Sequence, residues 1–125
     1  MSDLTITAED RRLEADWLVE NPALRNALES TLPVEGRAAR WGDELYFGAT
    51  LSGNPESTSE DVPVGTLAYW TSGEALALFW GPTPASTDET PRAASPVAPL
   101  ARVEDVSPLD AIEGGATVRV EAGED

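Results

Sequence analysis

Residues 79–84 read Phe-Trp-Gly-Pro-Thr-Pro and follow directly on the apolar run Glu-Ala-Leu-Ala-Leu at 74–78. A strand that ends in two aromatics, a glycine and two prolines fits the rim of a ligand groove. Rings supply large contact area at small entropic cost, and prolines stiffen the exit. Adjacent strand residues face opposite ways, so one of Phe79 and Trp80 is expected in the core and the other at the groove. Tyr69 and Trp70 lie on the partner strand of the expected hairpin, where at least one serves as a cross-strand aromatic contact. Tyr46 carries a hydroxyl that needs a partner if buried. Arg40, beside Trp41, can stack on a ring or fork onto a carboxylate. Arg92 has the hydroxyls of Thr83, Ser86 and Ser95 near it in sequence, a set able to bind a carbonyl or phosphate oxygen. The candidate ligand-binding residues are therefore Arg40, Trp41, Tyr46, Tyr69, Phe79, Thr83 and Arg92.

Covalent and metal chemistry find little to work with. Without Cys or His the chain has no thiol nucleophile, no Ser-His-Asp triad and no ordinary zinc site. Without Lys it has no Schiff base and no phosphate-loop lysine. Asp43 and Glu44 form a tempting acid/base pair, but as successive strand residues they point to opposite faces and do not converge. They read as a solvated strand start beside Gly42. The Ser-Thr-Ser-Glu-Asp and Ser-Thr-Asp-Glu-Thr stretches lack calcium-loop spacing, so neither a metal nor a cofactor is expected.

The charge balance limits partners further. There are 23 acidic residues against 8 basic ones, all arginine, giving a net charge of −15. Such a surface repels nucleic acid and anionic membranes, whose binding depends on Lys and Arg. It also repels itself, unless salt screens it. An acidic, lysine-free surface reads as the adaptation of a protein that works in concentrated salt. No run of about 18 apolar residues crosses a membrane, and the N-terminus lacks the layout of a secretory signal, so a cytoplasmic location is expected.

At 125 residues with 41% hydrophobic content, the chain reads as one domain over 1–125. Alternation marks strands at 4–7, 13–19, 43–51, 66–70, 74–80, 99–104 and 116–121. Asn21 can cap, Pro22 can start and Pro33 can end a helix, and Ser107-Pro108 opens a second, short one. The polar stretch 52–61 reads as an exposed loop. The segment from Pro82 to Pro99, with five prolines, reads as irregular ordered loop, because proline cannot donate to a ladder. The strand 74–80 is apolar on both faces and needs a second cover, for which the helix is the candidate. Gly73, in the turn before it, is available for positive φ. The chain closes on an acidic tail. This tally of about eight strands and two helices gives a mainly-β barrel or an α+β fold.

Three blocks, Trp-Gly-Asp-Glu-Leu-Tyr-Phe at 41–47, the stretch 64–86 and Ala-Ser-Pro-Val-Ala-Pro-Leu-Ala-Arg-Val at 94–103, together with 21–33, resemble the small cyclophilin-like proteins of bacteria and archaea. The resemblance covers nearly the whole chain. It implies a closed or nearly closed eight-stranded barrel with one or two helices, a form of the peptidyl-prolyl isomerase fold. True cyclophilins rely on an Arg, a Phe and a Gln in an R-x-x-F-x-x-x-Q run. This chain has no Gln, and no Arg stands three residues before Phe47 or Phe79. The function expected is therefore a barrel that binds a small molecule or a proline-containing peptide in an aromatic groove without cyclophilin-type catalysis. The alternatives are weak peptidyl-prolyl isomerisation assisted by Arg40 or Arg92, and a homodimer or assembly module with a seam at Trp80; a monomer or a homodimer is expected.

The charge reading is testable in bulk. Raising KCl from about 0.1 M to about 1 M shortens the screening length from roughly 10 Å to roughly 3 Å. Thermal unfolding followed by circular dichroism should then move to higher temperature, and a midpoint that stays put or falls would contradict it.

Overall fold

Alternation places Leu4, Ile6, Leu13, Ala15, Val118 and Val120 on one side of three neighbouring strands, and all six are buried. The structure is a computed structural model describing residues 2–123; Glu124 and Asp125 of the acidic tail lie outside the described residues. In chain order its elements are β1 (Leu4–Ala8), β2 (Arg11–Trp17), α1 (Pro22–Thr31), β3 (Val34–Arg37), β4 (Ala39–Arg40), β5 (Glu44–Gly48), β6 (Ser59–Asp61), β7 (Thr66–Trp70), β8 (Ala75–Phe79), β9 (Arg92–Val103) and β10 (Thr117–Ala122). A 3-10 turn, Ser107–Ala111, precedes β10. The mainly-β class is as expected. The described residues form ten strands rather than eight, and the two shortest, β4 and β6, have 2 and 3 residues.

The strands pair in the order β3-β10-β1-β2-β9-β7-β8-β5-β4, with β6 joined to β9. Every pairing is antiparallel. The first and last strands of this path, β3 and β4, are separated in the chain only by Ala38, so the sheet curls back on itself as a barrel requires. Inside lie Leu45, Phe47, Leu67, Tyr69, Leu76, Leu78 and Trp80, and α1 lays Leu24 and Leu28 into the same core.

Several local expectations are corrected. Residues 92–99 form the first part of the long strand β9, although Pro96 and Pro99 lie within it. Pro99 sits beside the register shift in the β7–β9 ladder, and Pro96 falls inside the irregular stretch of the β6–β9 ladder, where a missing N–H is tolerated. Residues 59–61 of the expected loop pair with β9 as an edge strand. Strand β2 ends at Trp17, and Val19 is exposed. Asn21 makes no side-chain cap: its amide donates to Ser57 O and Pro99 O, and its Oδ1 accepts from the N–H groups of Glu56 and Ser57. The 3-10 turn is likewise not capped by Ser107; Asp105 accepts the Ser107 N–H at 3.0 Å. In the β7–β8 turn the positive φ falls on Glu74 (48°), not on Gly73.

The two most distinctive sequence blocks dock onto one another. Asp43 N–H donates to Pro82 O at 2.9 Å, and Trp80 N–H donates to Asp43 O at 3.0 Å. Gly42, at φ 61°, lies so close that an added Cβ would stand 2.8 Å from Thr83 Cα and 2.9 Å from Pro82 O. Gly42→Ala combines a left-handed backbone with a clash against backbone atoms. It should destabilise the fold by at least about 2 kcal/mol in urea unfolding at fixed KCl; an unchanged midpoint would refute this joint.

Candidate functional site

Strands β5, β8 and β7 bury both faces. Toward the interior point Leu45, Phe47, Leu67, Tyr69, Leu76 and Leu78, as described above. The opposite face carries Glu44 and Tyr46 on β5, Ala75, Ala77 and Phe79 on β8, and Ala68 and Trp70 on β7. The ladder aligns Glu44 with Phe79, Tyr46 with Ala77 and Ala68, and Trp70 with Ala75. Large side chains thus alternate with alanines. The second cover is not the helix. It is the segment of β6, Val62 and the start of β9, whose Val62, Ala93 and Val97 pack with Ala68, Ala77 and Phe79 in a separate apolar cluster.

Between this cover and the sheet lies a cavity of about 150 Å³ lined by Trp41, Glu44, Tyr46, Trp70, Ala93, Ala94, Ser95 and Val97. Two polar atoms of its lining residues, Glu44 Oε1 and Trp70 Nε1, are buried and have no hydrogen-bond partner in the protein. Glu44 is only 7% exposed, so the solvated strand start expected for it is corrected, whereas its divergence from Asp43 holds. Burial pushes the Glu44 carboxyl up to about 7. A larger, open and polar hollow of about 680 Å³ runs along Glu9–Arg11, Arg37 and residues 111–116, and none of the unpartnered buried atoms lies in its lining.

Of the residues singled out in the sequence, Trp41 and Tyr46 line the cavity. Phe79 is fully buried in the cluster beneath it. Tyr69 belongs to the inner core, and its hydroxyl accepts the Leu51 N–H at 3.1 Å. Arg40 stands apart, committed to the joint. It donates to Gly42 O, Asp110 O and Ile112 O, pairs with Asp43 at 3.0 Å, and lies over the Trp80 ring. Trp80 itself is buried, with Nε1 donating to Asp110 Oδ1 at 2.8 Å. Thr83 and Arg92 hold the cover in place. The Thr83 hydroxyl donates to Arg92 O, and the Arg92 guanidinium pairs with Glu60 at 2.8 Å and Asp61 at 3.1 Å.

Sequence reasoning passed over Glu44 and Trp70 as pocket groups. Strand alternation from Tyr46 would have put Glu44 on its face, and alternation from Phe79 through the hairpin would have put Trp70 there. Gly73 carries a further signal: an added Cβ would lie 2.3 Å from Trp70 Cε3, so the glycine lets the indole lie across the turn. Among the described residues no group of three His, Cys, Asp or Glu side chains converges as a metal site requires. The single carboxyl is left to serve as a hydrogen-bonding group or a counter-charge.

A curled antiparallel sheet with an aromatic cavity on its outer face is the class that fold and site define. The profile of the cyclophilin-like family matches residues 2–121, and the chain belongs to that family. Among solved structures, it is similar to the solution structure of the hypothetical protein AF2241 from Archaeoglobus fulgidus, at 34% identity and a TM-score of 0.80, over 98% of this chain and 95% of that one. Among curated proteins no relative was matched.

The burial of Glu44 has a signed consequence for stability. Its carboxyl, raised from 4.5 to about 7, favours the fold fully below pH 4.5, and that contribution is lost as pH climbs through 7. The rise corresponds to about 3 kcal/mol. Measured by urea unfolding, the wild type should therefore lose about this much relative to Glu44→Gln between pH 4.5 and pH 8. Parallel pH profiles for the two proteins would contradict the burial.

Proposed function

We propose that this cyclophilin-like domain is a non-catalytic binding module whose site is the cavity between Trp41, Glu44, Tyr46 and Trp70. The observation that carries the reading is the pair of unpartnered polar atoms, Glu44 Oε1 and Trp70 Nε1, on residues that line a largely apolar cavity. Leaving a buried polar group unsatisfied costs about 1–3 kcal/mol, and a ligand that satisfies it recovers that cost. A cavity of about 150 Å³ accepts a group the size of benzene. That is room for one compact group of a small molecule or a peptide side chain, including a proline ring, with an acceptor placed for the indole N–H.

The isomerase alternative gains no support from Arg40 or Arg92, since both guanidinium groups are engaged by carboxylates and neither lines the cavity. The assembly alternative gains none from Trp80, whose ring is interior.

The test uses the Trp70 indole N–H as reporter in a nitrogen-15 spectrum recorded in KCl. The neutral probes are N-acetylpyrrolidine and a blocked Ala-Ala-Pro-Ala peptide. Either should displace the Trp70 signal without accelerating cis–trans exchange of the peptide. Ala94→Trp, at the exposed mouth, should abolish the response. A response untouched by Ala94→Trp, or no displacement of Trp70 by any compact probe, neutral or charged, would overturn the assignment.

A further inference from the structure

Resting on that reading of the cavity, we infer that its ligand is a small methylated ammonium compound, held by the rings of Trp41, Tyr46 and Trp70 with the Glu44 carboxylate as counter-charge. Three aromatic side chains and one buried carboxyl share the lining, and no arginine contributes to it. Aromatic faces attract cations, and the attraction is strongest for weakly hydrated ones that enter without a full shell of hydrogen-bonding partners. The inventory of acceptors separates the possible cations. A primary ammonium brings three donors and a guanidinium five, all needing partners once buried, whereas the side-chain acceptors of the lining are the Glu44 carboxyl and the Tyr46 and Ser95 hydroxyls, set among mostly apolar walls. A divalent metal needs several oxygen ligands. A quaternary ammonium has no N–H to satisfy, and its methyl groups suit apolar walls.

The remaining unpartnered atom defines the other end of the ligand. Trp70 Nε1 donates only, so it calls for a carbonyl or carboxylate on the same compound. A quaternary ammonium joined by a short spacer to an acceptor gives Glu44 a counter-charge and the indole N–H a hydrogen-bond partner in one compound. The protein's net charge of −15 raises the local concentration of cations at its surface, although added salt weakens this.

The charged groups around Glu44 leave it as the counter-charge. On the preceding turn Asp43 faces away and pairs with Arg40 at 3.0 Å. On the cover Arg92 is paired with Glu60 and Asp61. From β5 the other titratable side chain in the lining is Tyr46; Phe79 of β8, Trp70 of β7 and Ala93 to Ser95 of β9 carry none. Cation binding therefore selects the ionised form of Glu44, and apparent affinity follows the fraction of protein in that form.

The deciding experiment compares N,N,N-trimethylglycine with 3,3-dimethylbutanoate, in which carbon replaces nitrogen, by the Trp70 signal at constant KCl. At pH 8 the trimethylglycine should bind at least tenfold more tightly than its carbon isostere. Its affinity should rise at least tenfold from pH 5 to pH 8 in the wild type and stay flat in Glu44→Gln, where it is weak throughout. Equal binding of the two probes, or undiminished binding to Glu44→Gln, would overturn the ammonium assignment while leaving the cavity as a site for neutral groups. If trimethylglycine fails and N-acetylpyrrolidine still displaces Trp70, the ammonium assignment alone falls. Silence from all of these probes would overturn both readings.

Discussion

The structure turns on one constraint: strand β8 is apolar on both faces and its neighbours β5 and β7 are nearly so, so both faces must be covered. The inner face is covered by the curling of the sheet and by α1. The outer face has no helix to use, and the chain covers it with β6 and the first half of β9. A cover made of thin extended chain packs onto Ala68 and Ala77 but leaves a space beside them, among Trp41, Glu44, Tyr46 and Trp70. The cavity is the residue of that mismatch, and the groups that line it are those the strands' alternation leaves on the outer face.

Glu44 is where this arrangement departs from ordinary packing. A carboxyl with no partner, held largely away from water, is unfavourable when ionised, and its titration shifts toward neutrality as a result. In a surface so rich in acids one more exposed glutamate would have made little difference. In the lining beside Trp41, Tyr46 and Trp70, the same side chain ties the stability of the fold to pH. Local inconsistency of this kind, a polar group where packing alone would favour an apolar one, is the usual mark of a functional site.

Much of the fold was legible because alternation survives in the strands that build the core: Leu4 and Ile6, Leu45 and Phe47, Val118 and Val120 were placed correctly by period two alone. The edges were not. Ser59, Glu60 and Asp61 look like loop because an edge strand faces water, and β9 looks like loop because its prolines fall at irregular positions of its ladders. The candidate site was half legible. Trp41 and Tyr46 belong to the cavity, while the conspicuous Phe-Trp-Gly-Pro-Thr-Pro stretch proves to be a joint. Its glycine, prolines and Trp80 are needed to dock the Trp-Gly-Asp-Glu turn, with Gly81 so close to Asp43 that an added Cβ would stand 2.3 Å from Oδ2. Unusual residues mark close approaches of backbone as readily as they mark ligands. Which of the two applies depends on contacts across 40 residues of chain, and spacing along one segment does not carry that information.

The burial of Glu44 beside the cavity is tested most directly by a carbon-13 titration of its side-chain carboxyl, assigned by comparison with Glu44→Gln. A midpoint of about 7 is expected, moving lower when N,N,N-trimethylglycine saturates the protein. A midpoint at the ordinary 4.5, unmoved by the ligand, would mean that water reaches Glu44 freely and would contradict the cavity as described.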